Sequence, residues 1–230
     1  MILLDYLIPR FCAACQQKTQ GNINPHFCNT CDTLLKKPPK KCIFCDTNGV
    51  FMCHLCKKYY PKLEDIYISF RYESPIKSII QQLKFSLKPY LANTISLIIW
   101  HHHAAFFRSL PSHTTIIPMP SGRLRIAKRG YNPVALIAKK LAKLSGLQYE
   151  ANYLLKSAFS IPQVDLSRKE RLYNLQNHFW LNSSLKKSSH LESILLIDDV
   201  ITTGRSFEMA IEKLNNPQTK QLFGLFIAQS

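Results

Sequence analysis

All eight cysteines of this 230-residue chain lie between Cys12 and Cys56, and none follows in the next 174 residues. They form four Cys-x-x-Cys pairs: Cys12/Cys15, Cys28/Cys31, Cys42/Cys45 and Cys53/Cys56. Two intervening residues let both thiolates of a pair point at one ion from a tight knuckle. Two knuckles complete a tetrahedral sulfur shell, which suits zinc. Twelve residues separate Cys15 from Cys28, and seven separate Cys45 from Cys53. The simplest reading is two sequential sites, Cys12, Cys15, Cys28, Cys31 and Cys42, Cys45, Cys53, Cys56. An interleaved arrangement uses the same ligands and stays open. His26 and His54 sit beside cysteines, but the thiol count is already complete without them. A closed four-sulfur site leaves no open coordination position, so its zinc is structural. It holds together a segment too small for a core of its own. Such modules also serve as docking surfaces, and that reading stands beside the structural one.

The run Lys36-Lys37-Pro38-Pro39-Lys40-Lys41 divides the Cys-rich part into halves, a weak internal repeat. Pro61 closes it, giving a metal-held module over 1–60 and a larger domain over 61–230. No run approaches the roughly 18 apolar residues of a membrane span, so no membrane insertion is expected. The apolar opening MILLDYLIPR is interrupted by Asp5 and lacks a basic lead, so it reads as a strand or short helix and not an export signal. A cytoplasmic location is expected, where clustered cysteines favour metal over disulfides.

The larger part alternates strand-like and helix-like segments, which predicts an α/β fold with a parallel or mixed sheet. Ile66–Phe70 alternates as a strand. Ser74-Pro75 opens a helix, with Ser74 as cap, and Ile76, Ile79, Ile80 and Leu83 keep helical spacing. A second helix runs from about Tyr90 to Phe107, a short strand over Thr114–Ile117, and a helix from Pro133. Glu192–Ile197 is an apolar strand leading to Asp198-Asp199, then a turn, then a helix from about Gly204 to Leu214. Gln221–Ala228 is the last strand.

Strand, acidic pair, hydroxyl-rich turn and helix together form an anion-binding pattern. A helix N-terminus has unpaired N–H groups and a favourable dipole. Thr202, Thr203 and Ser206 add hydroxyls, and Gly204 lets the backbone approach a phosphate closely. Adjacent carboxylates accept hydrogen bonds from a vicinal diol or hold a metal through water. Phosphate beside diol describes a ribose 5-phosphate. The plainer alternative is that Asp199 or Thr202 merely caps the helix.

Ile197-Asp198-Asp199-Val200-Ile201-Thr202-Thr203-Gly204-Arg205-Ser206 resembles the phosphoribosyl-pyrophosphate (PRPP) signature of type I phosphoribosyltransferases. Pro118-Met119-Pro120 with Arg123, Arg129-Gly130-Tyr131-Asn132 and Leu83-Lys84-Phe85 narrow the resemblance to the ComF competence proteins. Gln163, Leu166-Ser167-Arg168-Lys169-Glu170-Arg171 and Asn174 fit as well. That family carries a CxxC-rich zinc module before a phosphoribosyltransferase-like domain, so the resemblance covers nearly the whole chain. Lys156 and Ser160 stand where the family often has Arg and Thr, and Lys cannot make Arg's bidentate phosphate contact.

The resemblance implies a type I phosphoribosyltransferase-like domain with a parallel central sheet. It makes Asp198 and Asp199 the candidate catalytic pair, holding the ribose hydroxyls. PRPP, with Mg²⁺, falls to Ile201, Thr202, Thr203, Gly204, Arg205, Ser206, Pro120, Ser121, Arg123, Arg129 and Lys84. It implies a role in DNA uptake, with single-stranded DNA and helicase or recombination proteins as partners. The alternative is an active transferase acting on a nucleobase or amine, with no nucleic-acid role.

Charge bears on that choice. The chain has 30 Lys+Arg against 14 Asp+Glu, a formal +16. Eight thiolates with two Zn²⁺ lower this to about +12. Between Glu73 and Glu150 there are eleven Lys/Arg and no acid. The segment Ser121–Asn132, with Arg123, Arg125, Lys128 and Arg129, reads as a basic loop at the sheet edge. It is a flap over a phosphate-rich ligand, a solvated loop, or a single-strand groove with Tyr131, Phe106 or Phe107 as stacking platforms. His101-His102-His103 is expected on the surface, without metal.

Overall fold

The computed structural model describes residues 10–19, 24–156, 179–185 and 191–230. The opening 1–9, Ser160, Gln163 and the 166–174 stretch singled out above lie outside the described residues.

Two short helices, α1 (Asn29–Thr33) and α2 (His54–Tyr59), belong to the Cys-rich part. The remainder runs β1 (Leu63–Arg71), α3 (Ile76–Phe85), α4 (Leu91–Ser109), β2 (Thr115–Pro118), α5 (Arg123–Arg129), α6 (Pro133–Ser145), β3 (Gln148–Tyr149), β4 (Leu154–Lys156), β5 (Phe179–Leu181), β6 (Ser193–Ile201), α7 (Arg205–Leu214) and β7 (Gln221–Gln229). Five strands form one sheet in the order β1-β7-β6-β2-β3, all parallel, which settles the parallel-or-mixed expectation. β4 and β5 pair antiparallel on their own.

The inner strands are apolar on both sides, as a sheet covered on both faces requires. On one face, Ile79, Ile80 and Leu83 of α3, Ile95 and Ile99 of α4, and Ile137 and Leu141 of α6 pack in one cluster with Leu195 and Ile197. On the other, Phe207, Ala210, Ile211 and Leu214 of α7 cluster with Ile194, Leu196 and Ile68.

Three sequence expectations are corrected. Ser74 does not cap α3: the cap position is Pro75, which has no N–H and offers no side-chain acceptor, and the Ser74–Pro75 bond is cis. The acidic pair does not follow its strand but lies within it, because the β6–β7 pairing continues past Ile197 to Ile201. The basic segment is not a loop throughout: Arg123–Arg129 is helical and ends on Gly130, whose φ of 79° a side chain would resist.

Candidate functional site

The two cysteine clusters are sequential. Each of the sets Cys12, Cys15, Cys28, Cys31 and Cys42, Cys45, Cys53, Cys56 brings its sulfurs within 4.8 Å of one another. Neither histidine neighbour joins them. The knuckles repeat in detail. Phe11 bridges Lys18 as Lys41 bridges Asn48, and Gln16 and Asp46 each take a positive φ, 64° and 59°. Cys28 and Cys53 cap α1 and α2 by accepting from the N–H of Cys31 and Cys56. Amides aimed at sulfur stabilise thiolates, so each donor set fits a structural zinc ion and could hold one.

The modules sit on opposite faces of the sheet. Cys12, Ala13, Phe27 and Cys31 share the α3/α4/α6 core. Asn24 donates to the Thr94 carbonyl at 3.0 Å, and Gln82 donates to that of Ala13. Ile43, Phe44, Phe51, Met52 and Tyr60 pack on the α7 side, where Tyr60 donates to Glu208.

At the C-terminal ends of β2 and β6, a cleft of ≈ 590 Å³ opens between α3, α5 and the turn before α7. This is where ligands of open parallel sheets bind. Asp198 and Asp199 line it, each half-buried. Lys84, brought in by the last turn of α3, donates to Asp199 Oδ1 at 2.7 Å. Asp199 N–H donates to Asp198 Oδ1 at 2.8 Å. Burial, and then the neighbouring Asp199 charge, push the Asp198 carboxyl up to about 7. Lys156, at the end of β4, also lines the cleft. Burial, and then Arg125, hold its ammonium below the usual lysine range.

Pro120, Ser121, Arg129, Thr202 and Ser206 line the same cleft, as the sequence leads one to expect. The Ser121 hydroxyl is directed elsewhere, donating to Asn132 Oδ1 at 3.0 Å. Asn132 also caps α6 through the Val134 N–H and donates to the Met119 carbonyl. Tyr131 donates to the Leu83 carbonyl at 2.7 Å, tying this segment to the helix that presents Lys84. These two motif residues thus shape the rim.

Five residues expected at the site do not line the cleft, the buried Gly204 among them. Ile201 is core. Arg205 points to Glu208 at 2.8 Å. Thr203 is exposed on the turn and Arg123 on α5, and neither is among the cleft-lining residues. The i, i+4 pair Arg125 and Arg129 shares the cleft face of α5, and Arg123 does not. Gly204 has a second reason to be glycine. Its φ is 69°, and a Cβ there would stand 2.9 Å from the Ile43 carbonyl oxygen of the second cysteine module.

Sequence reasoning did not place Arg125, Tyr72 or Lys156 in the cleft. Lys156 carried a signal through the family position it fills and Arg125 through its helical spacing to Arg129, while Tyr72 carried none. The stacking platforms are also revised. Phe107 is buried, Phe106 stacks on Tyr67, and Tyr131 is held by Leu83. His103 is buried, not on the surface, while His102 pairs with Asp32 at 2.9 Å.

Fold and site together define a parallel α/β protein with an acidic strand end facing basic side chains, flanked by two four-cysteine modules. No family model matches the chain. Over 182 residues it is 29% identical to competence protein F of Haemophilus influenzae, covering 77% of this chain and 79% of that protein. It is 26% identical to the DNA utilization protein YhgH of Escherichia coli K12 over 77% and 78% of the two chains, and 24% identical to that of Salmonella typhimurium. These relatives bear out the resemblance to the ComF competence proteins drawn from the motifs. No helix among the described residues is long and apolar enough to cross a membrane.

Proposed function

We propose that this protein binds PRPP, or a related sugar phosphate, with Mg²⁺ in the β2/β6 cleft and acts in competence or DNA utilisation by handling single-stranded DNA. The carrying observation is the convergence of Asp198 and Asp199 with Lys84, Arg125, Arg129 and Lys156 around one cavity whose floor reaches Thr202 and Ser206. Carboxylates facing a diol, a helix N-terminus facing a 5-phosphate and cations facing a pyrophosphate match the three parts of PRPP. An evenly basic polymer groove has no use for two adjacent acids. The role in DNA handling is supported by the names of the relatives and by the charge excess beyond the cleft.

Isothermal titration with Mg²⁺-PRPP tests the first part. Binding is expected in the wild type and lost in Asp198→Asn/Asp199→Asn, and equal binding by the variant overturns the ribose assignment. Titration of a labelled oligo-dT across a salt series tests the second. Affinity should fall steeply with salt as counterions are released, and a flat response overturns it.

A further inference from the structure

β1 is the edge strand of the sheet, and along it runs a second groove of ≈ 380 Å³, separate from the cleft. Its walls are residues 65–69 of β1, the lysine–proline linker at Lys37, Pro38 and Lys40, the tip of the second cysteine module at Val50, Phe51 and Met52, and His103 of α4. Two buried polar atoms of the groove lining, Ser69 Oγ and His103 Nε2, have no partner among the described residues. Ser69 is 1% exposed and His103 8%. Leaving buried polar groups unmatched is costly, and two unmatched groups beside one cavity point to a ligand that completes them.

The chemistry of that ligand follows from the walls. His103 interrupts the helical backbone of α4, and its Nδ1 lies 2.9 Å from the Tyr67 hydroxyl. Burial first, then His102 and Lys37, hold the imidazole down to about 4. At neutral pH the ring is uncharged, and its second nitrogen is buried beside the groove without a partner among the described residues. An uncharged ring nitrogen beside a hydroxyl grips an anion poorly but suits the hydrogen-bonding edge of a nucleobase. Apolar and aromatic walls from Val50, Phe51, Met52 and Tyr67 suit its faces. Lys37, Lys40 and Lys41 are exposed on the linker, where a phosphate backbone would run. Asp65 is the one acid among the lining residues.

We propose that this groove is a nucleotide subsite for single-stranded DNA, with a base held against Ser69 and His103 and its phosphates on the linker lysines. This deepens the DNA-handling reading above and rests on it.

The test uses the full zinc-loaded chain and an iodouracil-containing oligo-dT. Cross-links are expected at Phe51, Met52 or Tyr67. Lys37→Glu/Lys40→Glu should weaken oligonucleotide binding at least tenfold while leaving Mg²⁺-PRPP titration unchanged. Ser69→Ala, a small change that spares the fold, should alter the ranking of oligo-dT, oligo-dC and oligo-dA. Retained oligonucleotide binding without these cross-links and without an effect of the lysine reversals overturns the subsite alone, leaving the open edge of β1 to a protein strand. No oligonucleotide binding by the wild type overturns the DNA-handling reading with it.

Discussion

The carbonyl oxygen of Ile43 lies where only a glycine at position 204 leaves room, 2.9 Å from the point a Cβ would occupy. Ile43 follows directly on Cys42, a ligand of the second metal cluster, so a cysteine knuckle supports the hydroxyl-rich turn from behind. Gly204→Ala adds a left-handed side chain and a backbone clash at once. It should destabilise the protein by about 1–3 kcal/mol. It should also weaken Mg²⁺-PRPP binding, read by urea unfolding and by titration.

The two arginines that share the cleft face of α5 should separate from the one that does not. Arg125→Gln and Arg129→Gln are each expected to weaken Mg²⁺-PRPP binding roughly tenfold, the loss of one charge-assisted contact. Arg123→Gln should leave it within twofold. Equal losses in all three would mean that α5 acts only through its summed charge.

The Asp198 carboxyl, pushed up to about 7 by burial and then by Asp199, holds its proton more tightly in the folded chain than in the unfolded one. Its contribution to stability is therefore complete below about pH 4 and lost as pH rises through 7. Urea unfolding at pH 5 and pH 8 should show that loss in the wild type and a smaller one in Asp198→Asn. Identical pH dependence would contradict the shift.

Lys84→Met removes the ammonium 2.7 Å from Asp199 and leaves that carboxylate without its ion-pair partner beside Asp198. Both groups are mostly buried, so the loss should reach about 1–3 kcal/mol at neutral pH and shrink at pH 5, where Asp198 is protonated. Thermal unfolding at the two pH values checks it.

Zinc analysis should return two ions per chain, and Cys42→Ser/Cys45→Ser should return one. Because the modules pack into the cores on opposite faces, chelation should lower the melting temperature of the whole chain and not merely unravel 10–60.

The parts of this molecule that were legible in the sequence are those whose chemistry is local. Four CxxC pairs announce thiolate sites because the spacing alone makes the knuckle. Asp198-Asp199 before Thr202-Thr203-Gly204 announces an anion site because strand, turn and helix are contiguous. What stayed hidden depends on distant partners. β6 continues through the acids because β7 is beside it, which Ile197-Asp198 does not reveal. Gly204 reads as a phosphate-approach glycine until Ile43, 161 positions earlier, is seen against it. His103 reads as one of three surface histidines until Tyr67 receives it in a helix break. Arg123 and Arg125 are alike as letters, and only the helical turn of α5 parts them.

The acids stand on a strand still in register with its neighbour, Asp198 opposite Phe226 and Val200 opposite Ala228. A pair of like charges on a loop could swing apart to relieve their repulsion, but this pair cannot. Its backbone positions are set before any ligand arrives. Adjustment to the guest then falls to the opposite wall, where α5 buries none of its residues and carries four of the chain's cations.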